Sequence, residues 1–202
     1  MKRTALSLSA VAFAAFAVAA VPAPEPWNVD VPHTGVDFSV KHFFTPVNGS
    51  FESYDATLLF DAENPENSSV RVSIDVSSIE TGNEDRNAHL MSEDFFEVET
   101  YPYITFVSES VRQVSADRLM VRGALKIKGQ VRDVELPVTI LGIKDIPQEM
   151  QGMLGGVTRV ASFEAALTID RRDFNVGVGS WAATAVVGKD VNISIALEAN
   201  RK

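Results

Sequence analysis

The stretch Leu119-Met120-Val121-Arg122-Gly123-Ala124-Leu125-Lys126-Ile127 runs through Lys128-Gly129-Gln130 toward Val134-Glu135-Leu136-Pro137-Val138-Thr139-Ile140. On its first arm Leu119, Val121, Gly123, Leu125 and Ile127 share one side, while Met120, Arg122, Ala124 and Lys126 share the other. On its second arm Val134, Leu136, Val138 and Ile140 repeat the alternation. A period of two is the signature of a strand with one buried face and one wet face. Gly129, between the arms, supplies the conformational freedom of a hairpin turn. One-sided burial points to antiparallel sheet, because parallel strands are usually apolar on both faces.

The same pattern extends outward along the chain. Val36, Phe38, Val40 and His42 form one such face, and Val70, Val72, Ile74 and Val76 another. Phe163, Ala165, Leu167 and Ile169 form a third, and Val191, Ile193, Ile195 and Leu197 the last. Asn64-Pro65-Glu66-Asn67 and Ser115-Ala116-Asp117 read as polar connections, and a longer connection starting near Asp145 contains Gly152 to Gly156. A single helical segment is expected from Asn83 to about Leu90, with a further turn at Ser92-Glu93-Asp94. About eight amphipathic strands with one short helix predict an all-β protein, either an up-and-down barrel or a sandwich. The missing cysteine pair weighs against an immunoglobulin-like sandwich. An eight-stranded antiparallel barrel has room inside for one small ligand.

The first twenty residues read differently. Lys2 and Arg3 precede an uncharged run from Ala5 to Ala20, small residues follow at Ala17, Ala19 and Ala20, and Val21-Pro22-Ala23-Pro24 breaks any helix. This is the layout of a secretory signal peptide over residues 1–20, with cleavage between positions 19 and 23. The expected product is an exported, periplasmic domain over residues 21–202. Its apolar run is shorter than the roughly 20 residues that span a bilayer. Removing Lys2 and Arg3 takes the formal net charge from −9 to −11. Such an acidic surface argues against nucleic acid as a partner. The chain has no cysteine, which rules out thiolate chemistry, cysteine-ligated zinc and covalent haem.

No catalytic constellation stands out. His33, His42 and His89 are separated by 9 and 47 positions, unlike the close spacings of local zinc motifs. There is no Gly-x-Ser-x-Gly elbow, and Glu93 beside Asp94 suits a solvated turn better than an acid/base pair. Neither metal nor cofactor nor enzymatic activity is therefore expected. The segment from Asn83 to Phe106 is unusual in setting many aromatic residues around Arg86 and His89, which helical spacing puts three apart on one face.

These blocks, taken together, resemble the YceI-like family. The resemblance lies in Trp27-Asn28-Val29-Asp30, His33 to His42, Gly49-Ser50-Phe51 and Ser77 to Gly82. It continues through Arg86, His89-Leu90, Asp94-Phe95-Phe96, Tyr101-Pro102, Gly123 to Gly129, Ile169 to Phe174 and Val187 to Val191. Asn87 departs from an aspartate that often follows the central arginine of the family. The resemblance implies a lipocalin-like, extended eight-stranded barrel that holds a polyisoprenoid or similar long-chain lipid, without catalysis. Phe38, Val40, Ile74, Phe106, Leu125 and Phe163, all on apolar strand faces, are the expected pocket lining. His42, Arg86 and His89 are the expected polar end. The alternative function is to hold a quinone, which also has a prenyl tail, for a membrane redox partner. The oligomeric state is left open, a homodimer included.

Overall fold

The period-two runs become strands, and the uncharged or turn-forming residues between them set where each strand bends or stops. A computed structural model describes residues 24–183 and 185–202; the expected signal peptide and its expected cleavage positions lie outside the described residues. Eleven strand segments follow one another as β1 (Pro26–Val29), β2 (Gly35–His42), β3 (Thr45–Phe51), β4 (Tyr54–Leu59), β5 (Ser69–Asp75), β6 (Ile79–Glu80), β7 (Tyr103–Gln113), β8 (Arg118–Ile127), β9 (Gln130–Asp145), β10 (Arg159–Asp170) and β11 (Val187–Arg201). Helix α1 (Glu84–Met91) follows β6, and the four-residue α2 (Gln148–Gln151) follows β9.

All pairings are antiparallel, and they compose eight barrel strands rather than eleven. Segments β1 and β2 are one strand interrupted by a 3-10 turn at Val31–His33. Both pair with β11, β1 through Val29↔Ala199 and β2 from Ala196↔Gly35 to Val187↔His42. Segments β3 and β4 form the second strand, β3 pairing with β2 and β4 with β1. Segments β5 and β6, separated by a 3-10 turn at Val76–Ser78, form the third. The meander then runs β7, β8, β9, β10 and β11, and the β1–β11 contact closes it. Closure leaves the barrel wall without an exposed sheet edge.

The hairpin that set the fold is a two-residue turn, with Lys128 at φ +44° and Gly129 at φ +74° between the paired Ile127 and Gln130. Positive φ at both positions gives the twist that matches flanking strands. A side chain at Gly129 would also crowd the Tyr101 ring, 2.9 Å from where its Cβ would stand.

Helix α1 starts one residue later than expected because Asn83 is its cap, its Oδ1 accepting from the Arg86 amide at 2.8 Å. The expected long connection after Asp145 contains α2, a single turn that the sequence pattern did not distinguish from loop. Two buried clusters occupy the two ends of the barrel. One gathers Phe51, Val76, Ile79, Phe95, Phe174 and Val176. The other gathers Trp27, Leu58, Phe60, Val111, Ala161 and Phe163, with the Trp27 indole donating to the Phe60 carbonyl at 2.9 Å. Phe106 packs against both.

Candidate functional site

The two clusters meet through Phe106, but beside it the side chains leave a cavity of about 280 Å³. Its wall comes from the inward side of every barrel strand. Phe38, Val40, Ile74, Phe106, Leu125 and Phe163 all line it. Their places follow from the pleat: Phe106 pairs with Leu125 across β7 and β8, and with Val72 of β5, so all three project to the same side. Gly123 makes room for this arrangement. A Cβ there would lie 2.7 Å from the Phe106 ring, so only glycine lets that ring lie flat against β8.

Two polar side chains at the cavity wall, Tyr54 and Arg171, are occupied within the protein. The Tyr54 hydroxyl donates to the Thr34 carbonyl at 2.6 Å, and burial, with Glu52 and Asp37 nearby, pushes its pKa up. Arg171 is 4 % exposed and closes one end of the cavity. Its five N–H groups all find carbonyls: Nε donates to Gly188 at 2.9 Å, and Nη1 to Val176 at 2.8 Å and to Gly177. Nη2 donates to Trp181 at 2.7 Å and to Val187 at 3.0 Å. Burial pushes its pKa down from the usual arginine value, although the guanidinium of arginine remains charged in proteins. No donor is left over for a ligand. The neighbouring Arg172 is different: it grips Asp170 from outside the cavity, and those bonds hold the Asp170 pKa at about 2.

Sequence reasoning missed Arg171. In the run Asp170-Arg171-Arg172-Asp173 the two arginines look alike, and nothing in residue type tells the buried one from the exposed one. The one signal in the sequence is the segment Phe174 to Gly188, which carries no charge and offers a cation only backbone carbonyls.

The three residues expected at a polar end are not brought together, and none of them lines the cavity. His42 lies exposed at the β2–β3 tip with its ring edge-on to Phe43 at 4.8 Å. Arg86 turns toward the loop before α1, where Nε donates to Thr81 Oγ1 at 2.8 Å and Nη2 to the Thr81 carbonyl. His89 turns the other way. Its Nε2 meets Asp94 Oδ2 at 2.9 Å, and its ring packs edge-on against Phe95 and Trp181. The bond to His89, and then one to Trp181, lowers the pKa of Asp94. Helical spacing thus places Arg86 and His89 near one another on α1, but their side chains diverge to satisfy different neighbours. Asn87, the departure from the family pattern, is buried and accepts from Thr81 through both the amide (3.0 Å) and the hydroxyl (2.6 Å). A carboxylate oxygen would accept the same two bonds.

Among the described residues one group of side chains could share a metal ion: Asp30, His33 and Glu198. His33 Nδ1 lies 3.2 Å from Asp30 and 4.0 Å from Glu198, and its side chain is 68 % exposed. None of the three lines the cavity, and the contacts suit an exposed ion pair.

The family model for the YceI-like domain matches residues 27–199, from the first strand segment to the last. The chain belongs to the YceI-like family. Within that family it is 32 % identical to a UPF0312 protein of Pectobacterium atrosepticum, over all of this chain and 99 % of the relative. It is likewise 32 % identical to the protein YceI of Escherichia coli O157:H7, over 96 % of this chain and 97 % of the relative. Among solved structures, BcnA of Burkholderia cenocepacia superposes with a TM-score of 0.75 at 30 % identity, covering 85 % of this chain and 99 % of BcnA. A polyisoprenoid-binding domain from Saccharophagus degradans superposes with a TM-score of 0.64 at 14 % identity, covering 87 % and 98 %. At that identity the likeness is one of fold, and the eight-stranded YceI-like barrel is what the two proteins share.

Proposed function

We propose that this YceI-like barrel binds one long apolar chain, of the polyisoprenoid type, and carries or sequesters it in the periplasm without transforming it. The observation that carries this reading is the cavity itself: an apolar space inside a closed wall, with Tyr54 and Arg171 at that wall already bonded to the protein. Such a space selects by shape and apolarity. The description of the Saccharophagus degradans domain as polyisoprenoid-binding supports the choice of ligand class. The Lys2-Arg3 head and uncharged run after it support the compartment.

The size is consistent with a tail rather than a whole lipid. At about 30 Å³ for a water-sized group, 280 Å³ takes roughly nine such groups. At about 0.8 kcal/mol for each buried CH₂, that is about 7 kcal/mol before the costs of association. A longer chain must move wall side chains or extend beyond the cavity.

Native mass spectrometry of protein purified from its own host tests the proposal. A non-covalent adduct with the mass of a prenyl lipid is the expected result. A quinone mass would move the assignment to an accessory protein serving a membrane redox partner. Protein that arrives empty and takes up no prenyl alcohol of any length would overturn the binding reading. Cell fractionation with intact-mass measurement checks the compartment: a full-length chain in the membrane fraction would defeat export and processing.

A further inference from the structure

The β2–β3 turn is built from the wrong residues for a turn. His42 pairs with Thr45, so Phe43 and Phe44 are its two central positions. Such positions favour glycine, asparagine or aspartate. Here Phe43 adopts φ +52°, a conformation that is an outlier for a bulky side chain. Phe43 is 55 % exposed and Phe44 94 %, the highest among the exposed large hydrophobic residues. Strain and apolar exposure at one turn contribute nothing to the stability of the barrel, and local rules broken without a folding gain point to a task.

The surroundings of the tip narrow that task. His42 to Phe51 carries no charge, and neither does Phe174 to Gly188, in a chain with 27 acidic and 18 basic residues. The two uncharged runs lie side by side: His42 pairs with Val187, and the Phe43 amide donates to the Val186 carbonyl at 2.8 Å. Val178, in the second run, is also exposed. Val40 and Val187, at the foot of the tip, both line the cavity. The Phe43–Phe44 apex stands about three residues beyond Val40, roughly 10 Å along the strand direction.

A convex, uncharged tip with two exposed rings fits a surface it can penetrate. An interfacial anchor of this kind buries its apolar groups about 5–10 Å into the boundary between headgroups and acyl chains. The net charge of −9 opposes attraction to an anionic surface and leaves a zwitterionic one. We propose that the Phe43–Phe44 tip is a membrane-docking wedge that seats this end of the barrel on a zwitterionic bilayer, so that an apolar chain passes between lipid and cavity without crossing water. The transfer role rests on the reading of the cavity as a lipid site; the docking itself does not.

Sedimentation with phosphatidylcholine vesicles tests it, with the full barrel as wild type, Phe44→Ser and Phe43→Gly/Phe44→Ser. The wild type pellets with the vesicles. Phe44→Ser weakens the partition about tenfold, because one buried aromatic ring is worth at least 1.4 kcal/mol. The double variant weakens it further. Melting temperatures stay at or above that of the wild type, since Phe44 packs on nothing and glycine relieves the φ at position 43. Three results would overturn the proposal: a wild type that stays in the supernatant, pelleting by Phe44→Ser equal to wild type, or pelleting that requires phosphatidylglycerol. Loss of a dimer by Phe44→Ser without vesicles would assign the tip to a copy–copy contact and overturn it too. Native mass spectrometry of the same variants separates the two readings. Retained lipid with lost pelleting supports docking as a distinct step, whereas a wild type that still pellets but takes up no prenyl alcohol of any length sinks the cavity reading alone.

Discussion

Replacing Arg171 by methionine keeps an apolar stem of similar length and removes all five donors. The structure sets the magnitude. The carbonyls of Val176 and Gly177 lie among buried residues, where water cannot replace the guanidinium. Each orphaned buried acceptor costs about 1–3 kcal/mol, so this pair accounts for about 2–6 kcal/mol. The carbonyls of Trp181, Val187 and Gly188 belong to partly exposed residues and can recruit solvent. Relief from burying a cation offsets part of the loss. The net destabilisation is about 3 kcal/mol, which in a domain of this size lowers the melting temperature by about 6–12 °C. Circular dichroism melts of Arg171→Met and Arg171→Lys, with chemical denaturation to give the free energy, are the assay. Lysine retains the charge but has three donors on one nitrogen and does not reach five carbonyls in a planar fan. It should recover less than half of the loss. A methionine variant within about 1 kcal/mol of wild type would refute the clamp, because a single orphaned acceptor already costs that much. A fully stable lysine variant would show that charge, not the fork, is what matters.

Three further outcomes are expected. Arg86→Ala should lower the melting temperature by a few degrees through loss of its two bonds to Thr81, with the mass of co-purified lipid unchanged; selective lipid loss in a stable variant would restore a recognition role. Ala165→Phe, at a position lining the cavity, should reduce bound lipid in native mass spectra while changing stability by less than about 2 kcal/mol, because the ring enters existing space rather than a packed core. Acid should destabilise the fold through Asp170 and Asp94, whose folded pKa values lie below their unfolded ones. The Asp170 contribution is complete above about pH 4 and disappears as the pH falls through about 2, and that of Asp94 is likewise lost on the acid side, so Asp170→Asn should flatten the acid limb of a stability–pH curve measured by denaturant titration.

The barrel was legible because its information is local. Alternation at Leu119–Ile127 fixes which side chains face inward, and a one-residue slip would turn all of them out, so the lining residues could be named strand by strand. The polar end was not legible for the opposite reason. Which way Arg86 and His89 turn depends on Thr81 on one side and on Asp94 and Trp181 on the other, and Trp181 is distant in sequence. Arg171 was hidden for the same reason: its partners are main-chain atoms of a later segment, and carbonyls have no sequence signature. The breaks in the early strands were also unreadable, because Val31 and Val76 suit a strand by type but stand in 3-10 turns.

The seam between the first strand and the last has a kinetic meaning. Thr34 Oγ1 accepts from the Glu198 amide across a sequence separation of 164 residues, between the β1–β11 and β2–β11 ladders that together shut the wall. Every other neighbouring pair in the meander is joined by a far shorter stretch of chain, the longest being Val76 to Pro102 between β5 and β7, but this one waits until the rest of the chain is in place. Contacts so remote in sequence pay the largest loop entropy and form late. Substitutions at the seam should therefore leave the folding rate nearly unchanged and accelerate unfolding, so that the lifetime of the closed barrel is set where the chain's two ends meet.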